Sequence, residues 1–155
     1  MIFVTIGTQD KQFNRLLNYI EEADIKDEVI IQSGFTDFVS KKYKVFKYLD
    51  KQTLEKYIDD ADVIICHGGV GTLMHSLKNK KKIIACARLA KYKEHQNDHQ
   101  KQIISSFKEK GYLLELNENN NIIDLLEEIK TFEPKEYAYN HDIFINKLID
   151  YIEAI

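Results

Sequence analysis

Residues 63–77, "VIICHGGVGTLMHSL", decide how this chain folds. An apolar, largely β-branched run ends at a histidine. Glycines follow at Gly68, Gly69 and Gly71, then a threonine and a helix-like tail. A short buried strand passing through a glycine turn into a helix is the strand-to-helix junction of an α/β protein. The chain has 6 glycines in all. Half of them at one junction exceed what a turn alone requires.

Outward from this junction, strand-like and helix-like segments alternate. Upstream, "IFVTI" (2–6), "EVIIQSG" (28–34) and "KVFKYL" (44–49) read as strands. "QFNRLLNYIEE" (12–22) carries Phe13, Leu16, Leu17 and Ile20 on one helix face, and "KQTLEKYIDDA" (51–61) reads as a second helix. The junction strand is "DVIIC" (62–66), and its helix runs to about Leu77. Downstream, "KIIACA" (82–87) and "YLLEL" (112–116) read as strands. Helices are expected at 97–111, ending at Gly111, and at 121–130. Pro134 marks a break before a last helix at 141–153. The alternation predicts a Rossmann-like α/β fold, a parallel sheet with helices on both faces. Ligands in such sheets bind outside the carboxyl ends of the strands.

Composition sets the outer bounds. A length of 155 residues with 44% hydrophobic content suits one domain with one core. No run approaches the roughly 20 apolar residues of a spanning helix, and "MIFVTIG" carries no signal-peptide pattern. The expected location is cytoplasmic. A net charge of −3 gives no general pull toward nucleic acid. Lys78, Lys80, Lys81 and Lys82 read as a solvated turn, or as a patch facing anionic lipid. Cys66 and Cys86 end apolar runs and read as buried thiols.

The chemistry gathers at two loops. In the first, Gly68, Gly69 and Gly71 open a helix, where bare backbone and exposed N–H groups favour phosphate. A tight turn with no ligand is the plain alternative. No Gly-Lys-Ser/Thr follows, so this is no Walker A loop. The first strand is followed by "GTQDKQ" rather than Gly-x-Gly-x-x-Gly. The second loop, "ARLAKYKEHQNDHQ" (87–100), is long and polar. His95 and His99 stand four apart, but the glutamate precedes the first histidine, so no His-Glu-x-x-His zinc site is expected. Asn97 or Asp98 is placed to cap the following helix. Asp60 and Asp62 form an Asp-x-Asp at the amino end of a strand, the wrong edge for a metal–diphosphate site.

Taken together, "HGGVGT" and "RLAKYKEHQNDHQ", with "VTIGTQDKQFNRLL" at the start, resemble the donor-binding half of the GT-B glycosyltransferases, family 28 C-terminal type. The chain looks most similar to the cytosolic subunit of two-chain UDP-sugar transferases, of lipid-linked oligosaccharide, capsule or exopolysaccharide synthesis. The resemblance implies a single domain, residues 1–155, that binds a UDP-sugar and moves a hexose or N-acetylhexosamine to a lipid-linked acceptor. It implies a membrane-anchored acceptor-binding partner, recruitment to the inner face of the cytoplasmic membrane, and no metal or other cofactor. By the same resemblance, Gly7, Thr8 and Gln9 border the diphosphate and acceptor side. The backbone of Tyr48 and Leu49 holds uracil. His67, Gly68, Gly69, Gly71 and Thr72 hold the diphosphate. Asp98, His99 and Gln100 contact the sugar, and Arg88, Glu94 and His95 belong to the same site. His75 departs from the pattern, since relatives carry there an acidic residue that holds the ribose hydroxyls. A neutral imidazole can still hydrogen-bond. His67 and His95 are the candidate bases; otherwise the base comes from the acceptor-binding half. A UDP-sugar epimerase would need a second half that 155 residues cannot supply, and a non-catalytic UDP-sugar-binding regulator is the other reading. In 141–155, Phe144, Ile145, Leu148, Ile149, Ile152 and Ile155 form an apolar stripe for the domain's own sheet or for the partner.

Overall fold

The inner strands are mostly apolar, as strands covered on both faces should be, with Thr5, Gln32 and Lys82 as polar residues at strand ends. The chain is seen in a computed structural model that describes residues 1–137. The strands are β1 (Ile2–Thr5), β2 (Val29–Gln32), β3 (Lys44–Phe46), β4 (Val63–Cys66), β5 (Lys82–Ala85) and β6 (Leu114–Glu115). They form one parallel sheet in the order β3-β2-β1-β4-β5-β6. The helices are α1 (Asn14–Glu22), α2 (Lys51–Asp60), α3 (Val70–Lys78), α4 (His99–Glu109) and α5 (Ile122–Thr131).

The period-two alternation of the strands sorts the core into two layers. Val4, Ile31 and Ile65 face α1 and α5, meeting Leu16, Leu17, Leu125 and Ile129. Phe3, Ile64 and Ile83 face α2, α3 and α4, meeting Ile58, Leu73, Ile104 and Phe107. Helices therefore cover both faces, and the Rossmann-like expectation matches the architecture. Both cysteines are buried free thiols, and burial pushes each up to about 12, so they serve as core side chains.

Two lysines read as a solvated turn have defined work. Lys81 Nζ binds the carbonyls of Asp59 and Ala61 at the end of α2. Lys82 Nζ binds those of Ile129 and Lys130 near the end of α5, each at 3.0 Å. A helix carboxyl end leaves carbonyls without intrahelical partners and favours a cation. Asp62 lies at the amino edge of the sheet, 2.5 Å from the Met1 amine. Among the described residues no helix is long and apolar enough to cross a membrane. The expected helix at 141–153 and its stripe lie outside the described residues.

Candidate functional site

The strand order reverses direction between β1 and β4. Beyond the carboxyl ends of those two strands lies the crevice where such sheets take ligands. Gly7 follows β1 and His67 follows β4, and the two touch. A Cβ on Gly7 would stand 2.2 Å from His67 Nε2, and Gly7 has φ +74°, a region L side chains avoid. Gln32 orders the neighbouring ends: it accepts from Thr5 Oγ1 at 2.6 Å and donates to the carbonyls of Gly7 and Lys47 at 3.2 and 3.0 Å. Tyr48 and Leu49 continue from Lys47 and so lie at this same edge, while Thr8 and Gln9 are exposed beside Gly7.

The three loop glycines prove unequal. A Cβ on Gly69 would fall 1.8 Å from His67 Cε1, and one on Gly68 would fall 2.8 Å from Gln100 Cβ. A Cβ on Gly71 would meet no atom of the described residues within 4 Å. Gly68 and Gly69 are therefore small because protein atoms fill the space beside them. Only Gly71 leaves room for a ligand. The backbone donors divide the same way: Gly68 N–H donates to Gln100 Oε1 at 3.1 Å, and Gly69 N–H to His67 Nδ1 at 2.5 Å. The first turn of α3 has no side-chain cap, so the N–H groups of Val70, Gly71 and Thr72 are those free of loop duties.

His67 is locked in one tautomer. Nδ1 accepts from Gly69, so the proton of the neutral ring sits on Nε2, toward Gly7. Burial, with Arg88 and His95 nearby, pushes its pKa down to about 3. A ring so held donates a hydrogen bond; the expected role as general base lacks a free lone pair. The sign of the linkage follows. Unfolded histidine titrates near 6.5, so between 6.5 and 3 the unfolded chain binds the extra proton. Stability should fall with pH through that window, by roughly 3 kcal/mol between pH 6.5 and 4. Urea midpoints at pH 7 and pH 4 test this against His67→Gln, which should show a clearly smaller drop. Equal drops would mean that His67 is not held neutral.

The second loop is chiefly a brace. Arg88 is buried, and its guanidinium donates to the carbonyls of Ile6, Lys11 and Glu94 at 2.8–3.1 Å. Glu94 is buried against Arg15, with contacts of 2.9 and 3.1 Å, and accepts from Leu89 N–H at 3.0 Å. Gln100 Oε1 accepts from both Gly68 and Arg88. These three were expected to touch substrate; instead their groups named here are spent within the protein. Asn97 Oδ1 accepts from His99 N–H just ahead of α4, whose N-cap residue Asp98 makes no side-chain cap, and Asp98 Oδ1 instead accepts from Ala90 N–H at 2.8 Å. Asp98 stays exposed, and His95 and His99 are half-buried. Burial first, then Arg88 and His99, lowers the His95 pKa, while its Nδ1 accepts from Asn97 N–H at 3.3 Å. His95 is thus neutral near pH 7 with that lone pair engaged.

His75 faces α2. Its Nε2 stands 3.2 Å from Asp59 Oδ1, and its Nδ1 4.0 Å from Glu55 Oε1. Sequence reading missed Glu55, Asp59, Arg15 and Gln32. Glu55 and Asp59 did carry a local signal, being four apart on one helix face. Among the described residues no group of three or more His, Cys, Asp or Glu is placed to hold a metal ion. A groove of about 550 Å³, lined by Met1, Asp24, Asp62, Lys82 and Lys130, lies at the opposite edge of the sheet, away from all of these residues.

Comparison with known proteins agrees with this architecture. The family model for the glycosyltransferase family 28 C-terminal domain matches residues 1–155. The fold is similar to the NMR solution structure of ALG13, with TM-score 0.59, 21% identity, and 91% of each chain covered. It is also similar to the glycosyltransferase SnogD from Streptomyces nogalater, with TM-score 0.56, 20% identity and 83% of this chain covered. A glycotransferase of kitacinnamycin gives TM-score 0.59 at 11% identity over 84% of this chain. This chain spans 34% of each of the latter two. No curated protein matches the chain significantly.

Proposed function

The chain belongs to the glycosyltransferase family 28 C-terminal domains, and on that premise we propose that it is the donor-binding subunit of a UDP-sugar transferase. The observation that carries the reading is the uncapped amino end of α3, open over Gly71, at the crevice between β1 and β4. A diphosphate there meets the helix dipole and the N–H groups of Val70, Gly71 and Thr72. His67 Nε2–H adds a neutral donor from the β4 side. The uracil lies toward Tyr48 and Leu49 at the end of β3, and the sugar toward Asp98 and His99. Donors already in place stabilise the charge that develops on the departing UDP, without a metal ion. The transferred group is a hexose or N-acetylhexosamine, and the acceptor is lipid-linked.

Transfer also needs a base for the acceptor hydroxyl. With Nδ1 engaged in both His67 and His95, the base belongs to a second, acceptor-binding half. We assign that half to a membrane-anchored partner.

Calorimetry of the full chain with UDP in EDTA tests the core of the proposal. Binding is expected without added metal. Binding that requires magnesium or manganese would overturn the metal-free mechanism, and no binding under either condition would remove the assignment.

A further inference from the structure

We propose that the flank formed by β3 and the strap before it, residues 33–43, is a membrane-docking surface. It lays Val39 and Phe35 into an anionic bilayer and holds them there through Lys41, Lys44 and Lys47.

Exposed apolar side chains gather on this flank. Val39 is 88% exposed and Phe35 42%, both in the strap that joins β2 to β3. Phe38, Tyr43 and Val45 extend the apolar surface, partly buried against the layer that holds α1. With Val39 they line a depression of about 630 Å³. Single exposed apolar residues need no explanation, but a contiguous patch marks a contact surface.

The exposure of Val39 is built into the strap, which is tied down on both sides of it. Thr36 Oγ1 accepts from Phe13 N–H at 3.0 Å, and Asp37 N–H donates to Gln12 Oε1 at 2.9 Å. Beyond Val39, Ser40 Oγ and Lys41 N–H donate to the Glu21 carboxylate at 2.6 and 2.9 Å. Lys42 Nζ donates to the carbonyls of Glu21 and Ala23 at 2.7 and 3.3 Å. The strap thus holds Val39 in water, where an apolar side chain adds nothing to folding.

Charge selects the occupant. Residues 33–49 carry four lysines against one aspartate, in a chain with 22 basic and 25 acidic residues. Lys41, Lys44 and Lys47 are exposed, and among the described residues no ion pair engages them. The nearby carboxylates other than Asp37 have partners of their own: Glu21 holds the strap, Asp24 pairs with Lys26 and Asp50 caps α2. Apolar tips beside unpaired lysines match a bilayer with anionic headgroups. The tips enter the acyl boundary while the ammonium groups stay with the phosphates. A second copy of this flank would set like charges against each other. The other basic cluster differs, since Lys81 and Lys82 are spent on helix carbonyls. Because β3 is the outermost strand, a bilayer on this flank lies beside the sheet and leaves the crevice between β1 and β4 open. Vesicle binding and UDP binding can therefore fail separately.

The test is co-sedimentation of the full chain with vesicles of phosphatidylcholine and of an equimolar mixture of phosphatidylcholine and phosphatidylglycerol. The parent should bind the mixed vesicles at least about tenfold tighter than the neutral ones, and added salt should weaken that binding. Val39→Asp should lose at least about tenfold in affinity for the mixed vesicles, and the pair Lys41→Glu with Lys44→Glu at least as much. The pair Lys101→Glu with Lys108→Glu makes the same charge change on α4, which packs at the β6 end of the sheet. It should cost less than about threefold. Thermal melts verify that the variants fold. A parent that ignores the mixed vesicles would overturn the inference, as would a Val39→Asp variant that binds them like the parent. Equal losses in the two lysine pairs would also overturn it, since that is the signature of overall charge. So would a parent that sediments as a dimer which Val39→Asp dissociates, because the flank would then contact a second copy.

Discussion

Gly71→Leu should fold at least as well as the parent and bind UDP at least about a hundredfold more weakly, a loss of about 2.7 kcal/mol. Gly69→Ala should do the reverse kind of damage, destabilising the domain itself. The difference lies in what stands beside each glycine. Gly71 is an exposed residue in the first turn of α3, with no atom of the described residues within 4 Å of its missing Cβ. Leucine is a good helix former, so the exchange should stabilise the helix by up to about 1 kcal/mol while filling the slot. Gly69 has an ordinary backbone conformation, φ −71° and ψ 128°, so backbone strain is not the issue. A methyl there would fall 1.8 Å from the His67 ring, which Gly7 closes in from the other side. Overpacking of this kind costs about 1–3 kcal/mol. A double-mutant cycle isolates the cause: in a His67→Ala background, Gly69→Ala should cost less than about 1 kcal/mol. Thermal melts and UDP titrations of the four variants decide the matter. A Gly71→Leu protein that binds UDP like the parent would mean that the open space at α3 is not the ligand site.

The contrast also shows what was legible in the chain and what was not. The alternation of strands and helices was readable because the inner strands are covered on both faces, which leaves unbroken runs such as "VIIC". Helix ends were blurred where side chains set them. The helix expected from Asn97 starts at His99, and the Asn97 side chain, outside the helix, accepts from the His99 N–H. The position of the candidate crevice was readable from glycine spacing after a strand, since the carboxyl edge of a parallel sheet is where such folds take ligands. The division of labour among its residues was not. Gly68 is small because of Gln100, 32 positions away, and Glu94 is spent on Arg15, 79 positions away. Neither contact leaves a trace in local pattern. The polar run 87–100 therefore read as a binding loop, although Arg88, Glu94 and Gln100 chiefly brace the crevice that the loop borders.

Arg88→Met should cost the domain about 3–5 kcal/mol, enough to unfold a protein of ordinary stability. Arg88 is 1% exposed, yet among the described residues no carboxylate hydrogen-bonds its guanidinium. Its planar fork instead donates to the carbonyls of Ile6 (2.8 Å), Lys11 (3.0 Å) and Glu94 (3.1 Å). The charged group lies 4.9 Å from the Phe13 ring centroid, a cation–π contact that offsets part of its desolvation. Burial lowers its pKa to about 10, with Glu94 acting in the opposite direction, so it stays charged at neutral pH. Methionine has a similar reach and fills the volume, but it leaves three carbonyl oxygens without a donor. Each unsatisfied buried acceptor costs about 1–3 kcal/mol before relaxation. Those carbonyls sit one residue before Gly7, in the loop after β1, and one residue before His95. The guanidinium thus ties together the two loops that flank the crevice. Arg88→Lys should recover less than half of the loss, because a single ammonium cannot span three carbonyls that the fork reaches in one plane. Urea titrations give the two stabilities. Hydrogen exchange at residues 7–11 and 93–98 should rise in Arg88→Lys before global unfolding sets in. An Arg88→Met variant within about 1 kcal/mol of the parent would mean that water takes over these carbonyls and that the brace is not what holds the crevice together.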